Sequence, residues 1–333
     1  MKKIINKPEE VINDMIQGMI FAHPDKIKKL ENYNVILRKN LNKKKVSIIS
    51  GGGSGHEPAH SGFVGFGMLD AAVVGEVFTS PTPDQIFNGV KAIDNGLGIL
   101  MIIKNYSGDI MNFAIAEEMA QANGIEILKI IVDDDVAVEN STYTSGRRGI
   151  AGTIFVHKIT GAMAENGASL KDIHKMGEKV VKNVRSKGIA LSSCVIPSVG
   201  KPNFQLGEDE MEIGLGIHGE PGVKRAKIMS AREIADNLAK SIILDLPFNP
   251  GEEVAVLVNG LGGTPLMELY ILNRNLAELC QKLGLKIYKT YVNNFMTSLE
   301  MAGASISILK LDQEMKYLLD YPANTPVFVQ QEK

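Results

Sequence analysis

No run of apolar residues in this sequence approaches the length needed to span a bilayer, so no membrane anchor is expected. Lys2 and Lys3 open the chain, but Lys7, Glu9 and Glu10 interrupt any secretory core. There are two cysteines, Cys194 and Cys280, far apart in the chain. They form neither a disulfide framework nor a metal-ligand spacing, which suits a reducing cytoplasm, and both read as inert core thiols. Formal net charge is −2, without the basic excess of a nucleic-acid binder. The one tight basic run, Lys43-Lys44-Lys45, reads as a solvated approach to a strand. No set of His, Cys, Asp and Glu has the spacing of a zinc site. Low-complexity stretches and short-period repeats are missing too. The expectation is a cytoplasmic protein that binds neither nucleic acid nor membrane.

What is present is a 333-residue chain, 44% hydrophobic and 22% charged, ordinary for a globular protein and long enough for two domains. The runs Val46–Ile49, Ile99–Ile103 and Ile125–Val132 read as strands. Helices fall between them, one entered at Thr82-Pro83 and one over about 110–122. Such alternation predicts the α/β class, a parallel sheet with helices on its faces. Before it, the spacing of Val11, Ile12, Met15, Ile16, Met19 and Ile20 predicts a helix over 8–21 for packing or dimerisation. Another helix begins near Ser169, with Asp172 as a reciprocal cap. The second part reads as strands at Ile189–Ile196, Met211–His218, Val254–Val258, Lys286–Val292 and Ser305–Leu311. Its helices are expected over roughly 231–245, 265–282 and 297–302, and one more after Asp312. The boundary is placed near Gly188, giving N-terminal (1–188) and C-terminal (189–333) α/β domains.

The chain is organised around Gly51-Gly52-Gly53-Ser54-Gly55-His56-Glu57-Pro58, read as a glycine turn after a buried strand, with Pro58 suited to a helix start. It lacks the Lys-Ser/Thr pair of a phosphate loop and the spacing of a dinucleotide fingerprint. Ligands of open α/β sheets bind beyond the carboxyl ends of strands. His56 and Asp109 both sit at such ends, and a histidine beside a carboxylate is a common acid–base arrangement. On spacing alone, a surface histidine and a helix-capping aspartate explain them at least as well, and the same holds for His218. His23, His60, His157 and His174 read as structural or surface residues, His60 being nearest the turn. Asp133-Asp134-Asp135 reads as solvated or capping rather than cation-binding. Gly260–Pro265 resembles a phosphate cradle at a helix start, though close helix–strand packing explains it better.

Five motifs, in order, resemble the dihydroxyacetone kinase K-subunit family: Ser50–Pro58, Phe78–Pro83, Ile103–Asp109, Val132–Val138 and Gly216–Gly222. The resemblance continues through Asn259–Pro265 and Thr297–Ile308, so it covers nearly the whole chain. It implies two α/β domains with the substrate site between them, and a homodimer. It implies that His218 forms a covalent hemiaminal with dihydroxyacetone, and that His56 and Asp109 are the acid–base pair. Substrate-binding positions carried over with the motifs are Gly53, Ser54, Gly55, His56, Lys104 and Asp109. Lys104 would act through its charge or through a backbone contact. The phosphate would come from an ADP-bearing kinase subunit L, recharged from phosphoenolpyruvate by a phosphotransferase-system phosphocarrier subunit M. ADP and magnesium are therefore expected on the partner, with no cofactor or metal on this chain. The chain ends at Lys333 without the extra nucleotide-binding domain of single-chain ATP-dependent relatives, which points to the phosphoenolpyruvate-fed form. The alternative is a paralogous sensor of dihydroxyacetone that acts as a transcriptional co-activator. Beyond the resemblance, Glu220 is a candidate for orienting the His218 ring.

Overall fold

The protein is described here by a computed structural model covering residues 2–138, 145–219 and 222–331. Helix α1 (Val11–Ala22) buries Ile12 and Ile16, one turn apart on the face that the spacing predicts. Strands β1 (Ile27–Lys29), β2 (Val35–Arg38), β3 (Ser47–Ser54), β4 (Ala71–Val77), β5 (Ile99–Lys104) and β6 (Ile127–Val132) form one sheet in the order β1-β2-β4-β3-β5-β6. The four central and far-edge strands β4, β3, β5 and β6 are parallel; β1 and β2 run antiparallel at the other edge. Helices α2 (Pro83–Ile93) and α3 (Ser107–Ala122) cover one face, sealing a core of Ile49, Val73, Met101, Ile86 and Phe113.

Helices α4 (Thr153–Glu165) and α5 (Leu170–Asn183) lead into the second sheet. Its strands are β7 (Val184–Ala190), β8 (Glu210–Ile213), β9 (Lys224–Lys227), β10 (Glu253–Gly260), β11 (Lys286–Asn293) and β12 (Gly303–Lys310), in the order β11-β10-β12-β7-β8-β9. Only β10 and β11 pair in parallel. Helices α6 (Ala231–Asp245) and α7 (Leu266–Lys282) cover its outer face, and α8 (Gln313–Asp320) lies against α4. A two-residue ladder, β13 (Ala323–Asn324) with β14 (Val329–Gln330), closes the described chain. Residue 188 falls inside β7, which follows α5 without a loop.

The two sheets share an interior. One continuous apolar cluster contains Ile48, Leu100 and Ile102 of the first sheet and Ala255, Leu257 and Leu309 of the second. Helix α4 belongs to this shared layer, and eleven of its thirteen residues are buried, so it has no solvated face. The segment that enters it is tied down by Asp134, whose carboxylate accepts the amides of Ile150 and Gly152, each at 2.8 Å. Burial raises the pKa of that carboxyl to about 6. Among the described residues no helix is long and apolar enough to cross a membrane.

Several local expectations are corrected. The glycines Gly51–Gly53 do not turn but continue β3, because a Cβ at Gly51 would lie 2.6 Å from the Val73 carbonyl of the adjacent strand. No α-helix follows Pro58; the chain makes tight turns and one 3-10 segment, Ser61–Phe63. Residues 297–302 are not helical, because the amides of Thr297 and Leu299 donate to His56 and Gly55 instead of closing a helical turn. Strand β8 stops at Ile213, where Gly214 (φ +75°) bends the chain, so His218 lies on a loop and not at a strand end. Lys45 is not solvated; it is buried and paired with Asp70 at 2.5 Å. Asp134 and Asp135 are buried too, one capping and one ion-paired. At Gly262 a Cβ would fall 1.9 Å from the Leu299 carbonyl, so that glycine serves close packing.

Candidate active site

Strand β3 delivers its glycines to the end of the sheet, where bulk must be minimal. A Cβ at Gly53 would lie 2.6 Å from the Thr79 nitrogen, and one at Gly55 (φ +96°) would lie 2.7 Å from the Phe78 ring. Phe78 and Leu299 both have left-handed backbone, φ +55° and +54°, and both press on Gly55. Strained positions of this kind gather at functional sites.

His56 follows and is fully buried. Its Nδ1 lies 2.8 Å from the Thr297 carbonyl. A carbonyl can only accept, so Nδ1 carries the proton and Nε2 is left with a lone pair. No described residue bonds that Nε2. Desolvation first, and then the Lys104 and His218 charges, push the His56 pKa well below the usual histidine value. The neutral ring stacks on Phe78 at 5.2 Å between centroids.

Helix α3 begins at Ser107, so Asp109 stands in its first turn, where the helix dipole favours an anion. Oδ1 accepts a short hydrogen bond from the Ser80 hydroxyl. Oδ2 lies 3.8 Å from Nζ of Lys104, the last residue of β5. Both charged groups are buried, and a buried ion survives only with such partners. The Lys104 ammonium also stands 5.1 Å from the Tyr106 ring centre.

His218 approaches from the second half. Its ring meets Tyr106 edge-on at 4.3 Å, His56 at 4.8 Å and Phe78 at 5.4 Å. These groups flank a cleft of about 800 Å³, lined by Gly53, Ser80, Tyr106 and Asp109 on one side and Ile196, Asn203 and His218 on the other. A cleft of this size, with a few convergent polar groups, suits a small-molecule ligand.

Gly53, Asp109 and His218 line one cleft, while His56 and Lys104 are buried behind it, against His218 and Asp109 respectively. The structure turns two expected positions away from the cleft. The Ser54 hydroxyl is buried and donates to the Gly75 carbonyl at 2.7 Å. The Gly55 amide donates to the Glu57 carboxylate at 2.9 Å. Glu220 lies outside the described residues. Phe78, Ser80 and Tyr106 were not singled out from sequence, although each lies within or beside a strand-end motif. Among the described residues no three His, Cys, Asp or Glu side chains stand together as metal ligands.

The fold and cleft define an α/β protein of two sheets with a cleft lined from both halves of the chain. The Dak1 domain matches residues 17–327, and the chain belongs to that family, in keeping with the resemblance carried by its motifs. It is 52% identical over 326 residues to the dihydroxyacetone-binding subunit DhaK of PTS-dependent dihydroxyacetone kinase 1 from Listeria innocua, covering 98% of this chain and 99% of the relative. The corresponding subunit of Lactococcus lactis is 50% identical, with 94% of each chain covered. Among solved structures, a dihydroxyacetone kinase operon co-activator superposes with a TM-score of 0.92 at 34% identity, covering 98% of this chain and 100% of the other.

Proposed function

We propose that this chain is the dihydroxyacetone-binding subunit of a phosphoenolpyruvate-dependent dihydroxyacetone kinase, a cytoplasmic phosphotransferase with an alcohol group as acceptor. The observation that carries the reading is that His218 and Asp109 line one cleft and that the His218 ring meets His56 behind it. The relatives at 52% and 50% identity are named as dihydroxyacetone-binding subunits of PTS-dependent dihydroxyacetone kinases, which supports the reading.

In the proposed reaction, a neutral imidazole nitrogen of His218 attacks the carbonyl carbon of dihydroxyacetone. The carbonyl π pair moves to oxygen, which gains a proton as the other ring nitrogen loses one. The adduct is a neutral hemiaminal with no leaving group. Glycerol has no carbonyl and is rejected at this step. Anchoring leaves a terminal hydroxyl held toward the donor phosphate, an orientation gain. Asp109 takes the proton of that hydroxyl as its oxygen attacks phosphorus, with ADP on the partner as the leaving group, while the unpartnered Nε2 of His56 accepts a hydrogen bond from a second hydroxyl of the adduct. Lys104 and Ser80 hold the Asp109 carboxylate in place. Reversal of the first step releases dihydroxyacetone phosphate.

We assign ADP and magnesium to the kinase subunit L, recharged by the phosphotransferase-system subunit M, and the subunit itself to a homodimer. Asp109, the one carboxylate among the described residues that line the cleft, is already engaged by Ser80 and Lys104, which supports placing magnesium on the partner. The experiment is intact-mass detection of a dihydroxyacetone adduct on wild-type chain and on His218→Ala. Loss of the adduct in the variant is expected; an adduct that persists there rules out His218 as nucleophile.

A second reading is a ligand sensor, favoured by the close superposition on the co-activator. Sensing needs capture but not transfer. Reconstitution with subunits L and M separates the two: dihydroxyacetone phosphate as product supports the kinase, and its absence supports the sensor.

A further inference from the structure

We infer that Arg148 is a positioning residue that fixes the His218 loop against the acid–base half of the site. The inference rests on the reading of His218 as nucleophile and extends it to a residue outside the cleft. The turn 145–149 lies directly behind Lys104. Asn105 clasps it, donating to the carbonyls of Ser145 at 3.0 Å and Arg147 at 2.7 Å. Gly149 packs so closely that a Cβ there would lie 2.4 Å from the Val132 carbonyl and 3.0 Å from Lys104 Cα. The turn is thus locked to the strand end that carries Lys104.

From this turn two arginines cross to the second half. Arg147 donates to Asp245, the last residue of α6, at 2.7 Å. Arg148 is 1% exposed. Its Nε donates to Asp135 at 2.8 Å, and its Nη2 donates to the Gly214 carbonyl at 2.8 Å. Gly214 is where the chain leaves β8 for the loop that carries His218. Asp135 is itself fixed: its Oδ1 accepts the Ala137 amide at 2.9 Å, and the next amide, Val136, donates to Ser186 of β7 at 2.9 Å.

Other anchors of the loop include the Gly214 amide on the Gly188 carbonyl at 2.8 Å and the buried side chains Leu215 and Ile217. Ile217 sits in the apolar cluster shared with the first sheet, and Leu215 in a separate small one. Apolar packing sets depth but not angle. A planar guanidinium binding two acceptors in a fixed fork sets angle as well, and an ammonium cannot copy it. A buried cation used for packing alone would be worse than an apolar side chain of the same volume. Here its second donor goes to the backbone of the nucleophile's loop.

The test titrates dihydroxyacetone against full-length wild type, Arg148→Met and Arg148→Lys, reading the adduct by intact mass. Half-maximal capture in Arg148→Met should need about tenfold more ketone, the loss of one hydrogen bond to a charged donor, with full occupancy still reached. Arg148→Lys should recover part of the shift. Irreversible misfolding of part of the sample would instead lower the saturating occupancy and leave the midpoint unchanged, and reversible weakening would move the midpoint only in step with the unfolded fraction read by urea unfolding; either result overturns the inference. Should Arg148→Met fail to fold, Asp135→Asn keeps the arginine but loosens its anchor. The midpoint should then move the same way, and an unmoved midpoint overturns the inference. A wild-type chain that forms no adduct fails differently, because it overturns the nucleophile reading itself and the inference with it.

Discussion

Replacing His56 by asparagine separates its two nitrogens. The amide nitrogen of asparagine sits near the place of Nδ1, so the 2.8 Å bond to the Thr297 carbonyl is preserved. Nε2, which no described residue bonds, is deleted. If a substrate hydroxyl is its partner, ground-state binding loses one neutral hydrogen bond, about 1 kcal/mol or roughly fivefold in capture. Proton transfer assisted by that nitrogen loses more, about a hundredfold in turnover, the low end of the general acid–base range. The stack on Phe78 also goes, which costs about 1 kcal/mol of stability. Capture is read by adduct mass and turnover with both partner subunits present. Turnover within threefold of wild type, or a loss of capture as large as the loss of turnover, refutes the reasoning. The pH dependence adds a second check. The folded-state pKa of His56 lies well below 6.5, so the ring stays neutral as pH falls through 6.5 and turnover has no inflection there from this residue. The unfolded chain does take up that proton, so the stability held by neutral His56 is complete above pH 6.5 and declines as pH falls toward the folded pKa. A wild-type inflection near pH 6.5 that vanishes in His56→Asn would contradict the buried, neutral ring.

Two further outcomes follow from buried charge. Asp109→Asn should capture dihydroxyacetone normally and transfer phosphate about 10²–10⁴ times more slowly, measured in the complete relay; near-normal turnover removes Asp109 as the base. Lys45→Met strips the buried Asp70 carboxylate of its 2.5 Å partner and leaves Arg38 at 3.5 Å as a weaker one. Urea unfolding should register a loss of about 3 kcal/mol, and a loss under 1 kcal/mol would mean that Arg38 takes over the role.

Local chemistry was readable where it governs structure by itself. The cap of Ser169 with Asp172 opens α5, and α6 spans the residues that its periodicity marks. Asp312 likewise caps α8. Legibility failed where a distant partner decides. Three glycines in a row suggest a turn, but the neighbouring Val73 carbonyl makes them the interior of a strand. Residues 297–302 look helical until Gly55 and His56 accept their amides. A lysine triplet looks solvated until Asp70, 25 residues on, receives its last member. The cleft follows the same division. His56 and Asp109 announce themselves at strand ends, whereas Phe78, Ser80 and Arg148 gain meaning only from what they touch.

One contact bears on how the protein is made. The carbonyl that sets the His56 proton belongs to Thr297, 241 residues later in the chain. During synthesis the first sheet can assemble while most of the sequence is still on the ribosome, since all its strands lie within residues 27–132. Its histidine, however, has no assigned tautomer until the segment around Thr297 has emerged and docked. A nascent or truncated chain therefore presents the glycine strand without the contact that sets the His56 proton, and the cleft acquires its final proton pattern only when the segment around Thr297 is in place.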